Sequence, residues 1–552
     1  MDRIALTLSS GEKLFIKKGN KIYEIIKENK LKGYEETLIV KFNGKLTELS
    51  YRIQEPGILE PVSNLNKISI NTYIRTLQFI FIKAVYDLFP NAILEIEHTL
   101  SKGIYGEIYK EPKLNEEDIE KIKDKMNEII EKDYKINKVI LDKDEAIEIF
   151  RSYGLEDKCR ILKYSRDSKI ELYELGGRYD YFYGPMAFST GVIKVFDLMH
   201  YSPGFILMPP KENNPKEVIE FIEQKKLAKI FTEAEDWARI LQIKDIGALN
   251  HKVANKEIVD MVRIAEALHE KKVAYIADMI KDRETVKVVL IAGPSSSGKT
   301  TFTRRLAIQL RANGLIPVPI SLDDYFLNRE NTPRDENGDY DFESIYALDL
   351  ELFNDNLRDL LKGKEVKVPQ FNFFTGSRSW HEKPLIIPEN GIMLIEGIHG
   401  LNEMLTPSIS KENKFKIYIS ALTQLNLDNH NRISTTDVRI IRRIVRDYLS
   451  RGYRAEDTLK MWPSIRRGEE KNIFVFQEES DVMFNSNLIY ELCVLKKYAE
   501  PELRKISEDS PVYYEALRLR SFLGLIKDLD GDLVPDNSIL REFIGGSCFY
   551  KY

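Results

Sequence analysis

Cysteine is scarce, with three in 552 residues. Cys159, Cys493 and Cys548 are too few and too far apart for a disulfide framework or a cysteine-built zinc site, and a reducing, cytoplasmic setting fits them. Basic charge is not in excess either. Lys and Arg total 82 against 87 Asp and Glu, a net charge of −5, which argues against wholesale neutralisation of phosphate backbones while leaving a local basic patch open. The start MDRIALTLSSGEKLF lacks the apolar core of a signal peptide. The greasiest stretch, residues 77–89, is broken by Lys83 and Asp87, so neither export nor a membrane contact is expected. Low-complexity tracts and repeats of solenoid period are missing too. What is present is a chain 43% hydrophobic and 31% charged, too long for one ordinary core and therefore multidomain.

Texture divides it into four parts. Residues 1–60 alternate the β-rich runs IALTLS and KLFIKK with a helical KIYEIIKENK, then TLIVKFNGKLTEL, where Asn43-Gly44 occupies a two-residue hairpin position; this is a β-grasp pattern. Residues 61–210 read as an α+β module, with an apolar helix over 72–89, a Lys/Glu-rich helix over 115–132 and short strands around 170–185. Residues 211–280, with EVIEFIEQKKLAKIF and EIVDMVRIAEALHEKKVAYIADMI, read as a helical connector. In residues 281–552 the runs VKVVLIA, VPISL, IMLIEGI and FKIYISAL alternate with helical stretches, which predicts an α/β unit: a parallel sheet with helices on both faces and a C-terminal helical extension.

The strongest motif follows VKVVLIA directly: Gly293, Pro294, Ser295, Ser296, Ser297, Gly298, Lys299 and Thr300, then Thr301 and an amphipathic TFTRRLAIQLRANG. Small residues let consecutive backbone N–H groups turn inward on a polyphosphate, and the following helix aims its positive end at the same anion. Lys299 is expected on the β- and γ-phosphates of ATP and the Thr300 hydroxyl on Mg²⁺. VPISL runs into Asp323-Asp324-Tyr325-Phe326, placing a carboxylate at the carboxyl edge of the sheet, where open α/β sheets bind ligands. Asp323 is the candidate general base for an attacking hydroxyl; Asp324, beside it, is the competitor for that role, and a turn or N-cap carboxylate is the plainer alternative. IMLIEGI delivers Glu396, a candidate metal carboxylate acting directly or through water. Arg439, Arg442, Arg443 and Arg446 share one helical face, with Arg451 and Arg454 beyond. Like charges on one face repel unless an anion arrives or nearby acids such as Asp437 and Asp447 pair with them.

Taken together, GPSSSGKTT, ISLDDYF, YDFES, LIEGIHGLN and IIRRIVRDYLSRG resemble the uridine kinase and phosphoribulokinase branch of P-loop kinases over about residues 281–495. The resemblance implies transfer of the ATP γ-phosphate to a hydroxyl, with uridine or cytidine and their 5′-hydroxyl the leading acceptors and a sugar or sugar phosphate the alternative. It also implies Asp323 as base, Lys299, Arg443 and Arg446 (the last two on a closing lid) as catalytic groups, and Asp341, Phe371 and Arg378 at the acceptor. A homo-oligomer is expected. Where uridine kinases carry a tyrosine and a histidine for base recognition, this chain has Phe371 and Gly376 in PQFNFFTGSR, with Arg378 retained. The insert LTQLNLDNHNRISTTD (422–437) either supplies replacement polar groups through Asn429, His430 and Asn431 or is an inert excursion.

Residues 1–60 resemble a TGS domain. Through LFPNAILEIEHTLSKGIYGEIY and YDYFYGPMAF, residues 67–210 resemble the second, editing-type domain of threonyl-tRNA synthetase. In the synthetase that domain carries an HxxxH and a CxxxH pair; here the matching positions are Arg75 and Phe79, and Phe182 and Met186. Phenyl and thioether groups are poor ligands, so deacylase chemistry is not expected. His98 then stands alone and reads as structural. This half is expected to bind or regulate, with RNA, a small molecule or the kinase half itself as partner; an RNA- or ribosome-associated regulatory ATPase is the competing reading of the whole chain. Asp528, Asp530 and Asp532 lack the glycine and glutamate of a calcium loop, and the tail SILREFIGGSCFYKY carries no recognised chemistry.

Overall fold

The computed structural model describes residues 3–550 apart from 35, 336, 337, 339, 373, 374 and 424. Strand Arg3–Leu8 pairs antiparallel with Lys13–Lys17 and parallel with Gly57–Pro61, which continues into the hairpin Ile39–Phe42 and Lys45–Glu48. Asn43 and Gly44 turn that hairpin with φ of 52° and 76°, the left-handed pair a tight two-residue turn requires. Helix Ile22–Glu28 closes the grasp by burying Ile22 and Ile25 among Leu6, Val40 and Leu59.

Helix Lys67–Leu88 is buried on nearly all sides from Thr76 to Tyr86, as expected of a helix at the centre of a layered module rather than on its surface. Phe81 meets Phe205 of a four-stranded antiparallel sheet at 4.5 Å between ring centroids. The helix also contacts strand Lys169–Leu175 of a separate three-stranded sheet.

The connector departs from the helical expectation at its start. Asn214–Val218 is a strand, paired with Pro210–Lys211, and helix begins only at Lys225, running to Leu241. Asn-Pro chemistry at 214–215 favours a turn over helix initiation, and Val218, Ile219 and Phe221 find apolar partners that their helical spacing did not announce. Helices Ile246–Ala254 and Ile258–Asp282 follow.

Five parallel strands build the C-terminal sheet, in the order Ile316–Ser321, Gly391–Glu396, Val288–Ala292, Lys414–Ser420, Val482–Asn485. The fifth, VMFN, is too short to show in the sequence. Alternate residues of the central strand enter different cores: Val289 and Ile291 pack with Phe302 and Ile276, Val288 and Leu290 with Phe353 and Leu357. Helices therefore cover both faces. The two halves of the chain also interlock, because the backbone N–H of Ile96 donates to Asn429 O at 2.7 Å and Gln78 Nε2 donates to His430 O at 2.6 Å.

Candidate active site at the phosphate loop

The loop between strand Val288–Ala292 and helix Lys299–Ala312 owes its shape to two glycines. A Cβ on Gly293 would lie 2.1 Å from Ile419 O, so no side chain fits; Gly298, with φ of 85°, is the left-handed residue that starts the helix. Ser296 also takes a positive φ, 59°, and the turn is closed by the Ser297 N–H donating to Pro294 O at 3.3 Å. Lys299 Nζ folds back onto Gly293 O and Pro294 O at 3.0 and 3.2 Å.

Strand register brings the acids to this concavity. Glu396 lies beside Ile291 and Ser321, at the carboxyl ends of three adjacent strands, and its Oε1 accepts the Thr300 hydroxyl at 3.4 Å. Asp323, in the turn Leu322–Tyr325, opens to solvent in the cleft yet has protein crowded around it. That crowding raises its carboxyl above the usual range, and Lys299, Arg451 and Arg446 pull it back. Asp324 takes the other role weighed for this pair. Its Oδ1 accepts the Phe371 N–H at 3.2 Å and so ties this turn to the strand Pro369–Asn372. Glu396 is pushed up to about 7 by burial and by the charge of Asp323, against the pull of Lys299. A hydroxyl and a carboxylate meeting here, with a second carboxylate adjacent, form an oxygen set of surplus negative charge that fits Mg²⁺.

The arginine-bearing helix, Thr435–Arg446, divides its cations between two tasks. Arg439 and Arg442 are buried and tied to Glu469 and Glu491, and they also donate to the loop carbonyls of Ser295 and Ser296, so they brace the loop from below. Arg443 donates to the Ser295 hydroxyl at 2.6 Å. Asp447 gathers Arg443, Arg446 and Arg451, at 3.1, 2.8 and 3.8 Å. Arg443 is lowered to about 10 by burial and then by the like charges of Arg446 and Arg451, partly offset by Asp447. Three guanidiniums sharing one buried carboxylate leave net positive charge facing the loop. The helix widens into a π-turn at Asp447–Arg451 before Gly452, a local irregularity that frees its end from ideal helical spacing.

On the acceptor side the side chains sort differently from their spacing. Arg378 donates to Asp349 at 2.8 Å and to the carbonyls of Phe326 and Tyr325 at 3.0 and 3.3 Å, so it buttresses the Asp323 turn from behind. The Phe371 ring packs 5.8 Å from that of Phe326. Asp341 accepts the backbone N–H of Glu343, and it is Glu343 whose carboxyl feels Asp323, Lys299 and Arg443. Burial and the charge of Glu469 raise Glu343 to about 7. The motif YDFES held this signal; which of its two acids faces inward did not follow from spacing. Glu469, buried in helix Ala455–Asn472, accepts the Ser295 N–H at 2.9 Å and has no sequence signature. Asn429, His430 and Asn431 are absent from the cleft, since the insert turns toward the N-terminal module, where Asn429 N donates to Asp157 and His430 Nδ1 meets Asp180.

In that module, the positions matching the synthetase ligand pairs do come together. Phe79 and Phe182 are 5.2 Å apart between ring centroids, Met186 is buried, and Arg75 Nε donates to Pro185 O. Hydrocarbon and a guanidinium fill the place and leave no lone-pair set.

Residues 288–487 match the model of the Phosphoribulokinase / Uridine kinase family. This segment belongs to that family. The phosphate loop, the five-stranded parallel sheet and the arginine-bearing helix all lie within this segment. Over the N-terminal region the relatives are threonine--tRNA ligases. That of Caldanaerobacter subterraneus subsp. tengcongensis is 32% identical over 197 residues, 36% of this chain and 31% of the ligase. That of Aquifex aeolicus is 32% identical over 209 residues, 37% and 32% of the two chains. The chain thus spans about a third of the length of these relatives. Among solved structures, one described as a possible uridine kinase from Bacillus stearothermophilus is 22% identical over 36% of this chain and 89% of that one, with a TM-score of 0.22. Among the described residues no helix is long and apolar enough to cross a membrane.

Proposed function

We propose that the C-terminal half is an ATP-dependent kinase of a nucleoside, uridine or cytidine, and that it phosphorylates the 5′-hydroxyl. The observation that carries this is the Asp323 carboxylate opening into the cleft within electrostatic reach of Lys299, Arg446 and Arg451. In this reading the acceptor hydroxyl sits between Asp323 and the phosphate loop and gives its proton to Asp323 as its oxygen attacks the γ-phosphorus in line, the bond to the β–γ bridging oxygen breaking so that ADP leaves. Lys299 leaves the carbonyls of Gly293 and Pro294 for the phosphate oxygens, and Arg443, Arg446 and Arg451 neutralise the equatorial charge. Thr300 and Glu396 would hold Mg²⁺, which would supply positive charge to offset that of the phosphate chain. Glu343 orients the acceptor by accepting its hydroxyls, while Asp324 and Arg378 hold the Asp323 turn in place. Incubating full-length protein and labelled ATP with nucleosides, sugars and sugar phosphates tests the acceptor. Turnover of uridine or cytidine is expected; turnover confined to a sugar overturns the acceptor, and acceptor-independent hydrolysis alone overturns the kinase.

Acid dependence should follow Glu343. Its carboxyl, raised to about 7, gains its charge between roughly pH 6 and 8, so the acceptor KM should fall as pH rises through that window. Glu343→Gln should flatten the profile at a uniformly high KM. Linkage sets the sign for stability. A carboxyl raised in the folded chain loses stability as pH climbs from the unfolded value of about 4.3 toward 7. Glu343→Gln should therefore melt above wild type at pH 8 and close to it at pH 4, which differential scanning calorimetry reads directly.

A further inference from the structure

The C-terminal segment, beyond the matched family region, reaches into the phosphate site. Thr301 is the third residue of helix Lys299–Ala312, so its N–H is one of the unsatisfied donors that such a helix directs at an anion. That N–H donates to Glu542 Oε2 at 3.1 Å, and the Thr301 hydroxyl donates to the same oxygen at 2.9 Å. Tyr550 OH meets the Thr301 hydroxyl at 2.5 Å. Ile539 lies over Gly298, so closely that a Cβ there would be 2.6 Å from its Cγ2.

Two carboxylates thus occupy donors of one phosphate loop, and they differ in kind. Glu469, at Ser295, is fully buried and ion-paired with Arg439, which makes it a brace. Glu542 forms no ion pair with a described cation, and its charge adds to that of Asp323 in raising Glu396. Space for it to leave adjoins it: a cavity of about 460 Å³ lies between Leu449 and Ser450, at the end of the arginine helix, and Glu542, Phe543, Gly546 and Tyr550. Gly545 and Gly546, both at positive φ (80° and 72°), join the short helix bearing Glu542 to the stretch bearing Tyr550.

We propose that Glu542 is an internal anion that holds the phosphate-chain position at Thr301 and is displaced into this cavity when a nucleotide binds, so that the C-terminal segment sets nucleotide affinity. This rests on the nucleotide reading above. The carboxylate and a phosphate oxygen seek the same N–H, and the phosphate, carrying more charge and gripped also by Lys299, wins when present. A neutral amide at residue 542 competes less well.

The test measures binding of ATP and of inorganic tripolyphosphate, which has the phosphate chain without the base, to full-length wild type, Glu542→Gln, Tyr550→Phe and Lys299→Ala. Glu542→Gln should tighten both ligands about tenfold, and Tyr550→Phe should tighten them less. In the wild type, amide exchange over residues 541–550 should quicken on saturation with tripolyphosphate. If wild type binds both ligands, Lys299→Ala binds neither and Glu542→Gln binds no tighter, the nucleotide reading stands and the displaced anion is refuted; a lowered melting temperature alone would mark Glu542 as a helix cap. If no form binds either ligand, both fall. Should Glu542→Gln fail to fold, Tyr550→Phe and the exchange data decide: unchanged affinity with unchanged exchange overturns the proposal.

Discussion

Lys299→Ala should abolish phosphotransfer and triphosphate binding together, whereas Asp323→Ala should lower turnover by about 10²–10⁴-fold and leave nucleotide affinity nearly intact. The two losses differ because the groups meet different parts of the reaction. Lys299 is the cation that the carboxyls of Asp323, Glu343 and Glu396 all feel, so its removal strips charge compensation from the whole concavity as well as the contact to phosphate. The Asp323 carboxylate accepts no hydrogen bond from a described residue, and the bond from Phe326 N–H goes to its backbone carbonyl, so losing the side chain leaves no buried donor stranded and the fold intact. Asp324→Asn is the informative control. An amide oxygen still accepts the Phe371 N–H, so turnover should change little. Single-turnover kinetics with labelled ATP, alongside calorimetric nucleotide binding, separates the three variants. Full turnover in Asp323→Ala, or a greater loss in Asp324→Asn, would overturn the assignment of the base.

What the sequence disclosed, and what it hid, follows the range of the interactions. The phosphate loop was legible because its requirement is local: small residues at fixed spacing, a strand before and a helix after. The β-grasp hairpin was legible for the same reason, through Asn43-Gly44. Roles set by distant partners were not. Arg378 sits at the expected sequence position, but a long, flexible arginine side chain goes where acceptors are, and Asp349, Tyr325 and Phe326 captured it. Arg439 and Arg442 share their face with Arg443, yet the fold buries the first two beside Glu469 and Glu491 and leaves the third to the cleft. Glu469, beside Glu470, and Glu542 sit on helices with no phosphate-site motif around them; only the closing of the chain sets them on the loop. The insert's spacing left two readings open, ligand recognition or an inert excursion, and the polar partners of Asp428, Asn429 and His430 belong to the other half of the same chain.

Lys158→Met should destabilise the whole chain by about 3–5 kcal/mol, although Lys158 lies far from the phosphate loop in sequence. Its ammonium is buried between Asp180 Oδ1 at 2.8 Å and Asp428 Oδ1 at 2.7 Å, and all three side chains are sealed from solvent. Tyr181 donates to Asp428, His430 Nδ1 meets Asp180 Oδ2 at 2.7 Å, and Tyr86 OH meets His430 Nε2 at 3.2 Å, so every member of the network is satisfied. Burial alone would raise Asp180, but Lys158 and His430 outweigh it and hold that carboxyl well below the ordinary range. Stability from this pairing is therefore complete above the unfolded value of about 4 and lost only as pH falls toward the depressed one, so mild acid should not release it. Removing the lysine strands two carboxylates in a low dielectric, where water cannot screen them. The consequence reaches across the chain because Asp428 and His430 come from the kinase-type half, and Lys158, Asp180, Tyr181 and Tyr86 from the other. Wild type should unfold in urea as one transition by circular dichroism, Lys158→Met as two, with the halves uncoupled. Lys158→Met combined with Asp428→Asn should recover part of the loss by removing one stranded charge, while high salt should not rescue the single variant, as a screened surface pair would allow. A single transition at the wild-type midpoint in Lys158→Met would show that the loop over 425–433 is held by shape alone and that the ionic network contributes nothing to joining the halves.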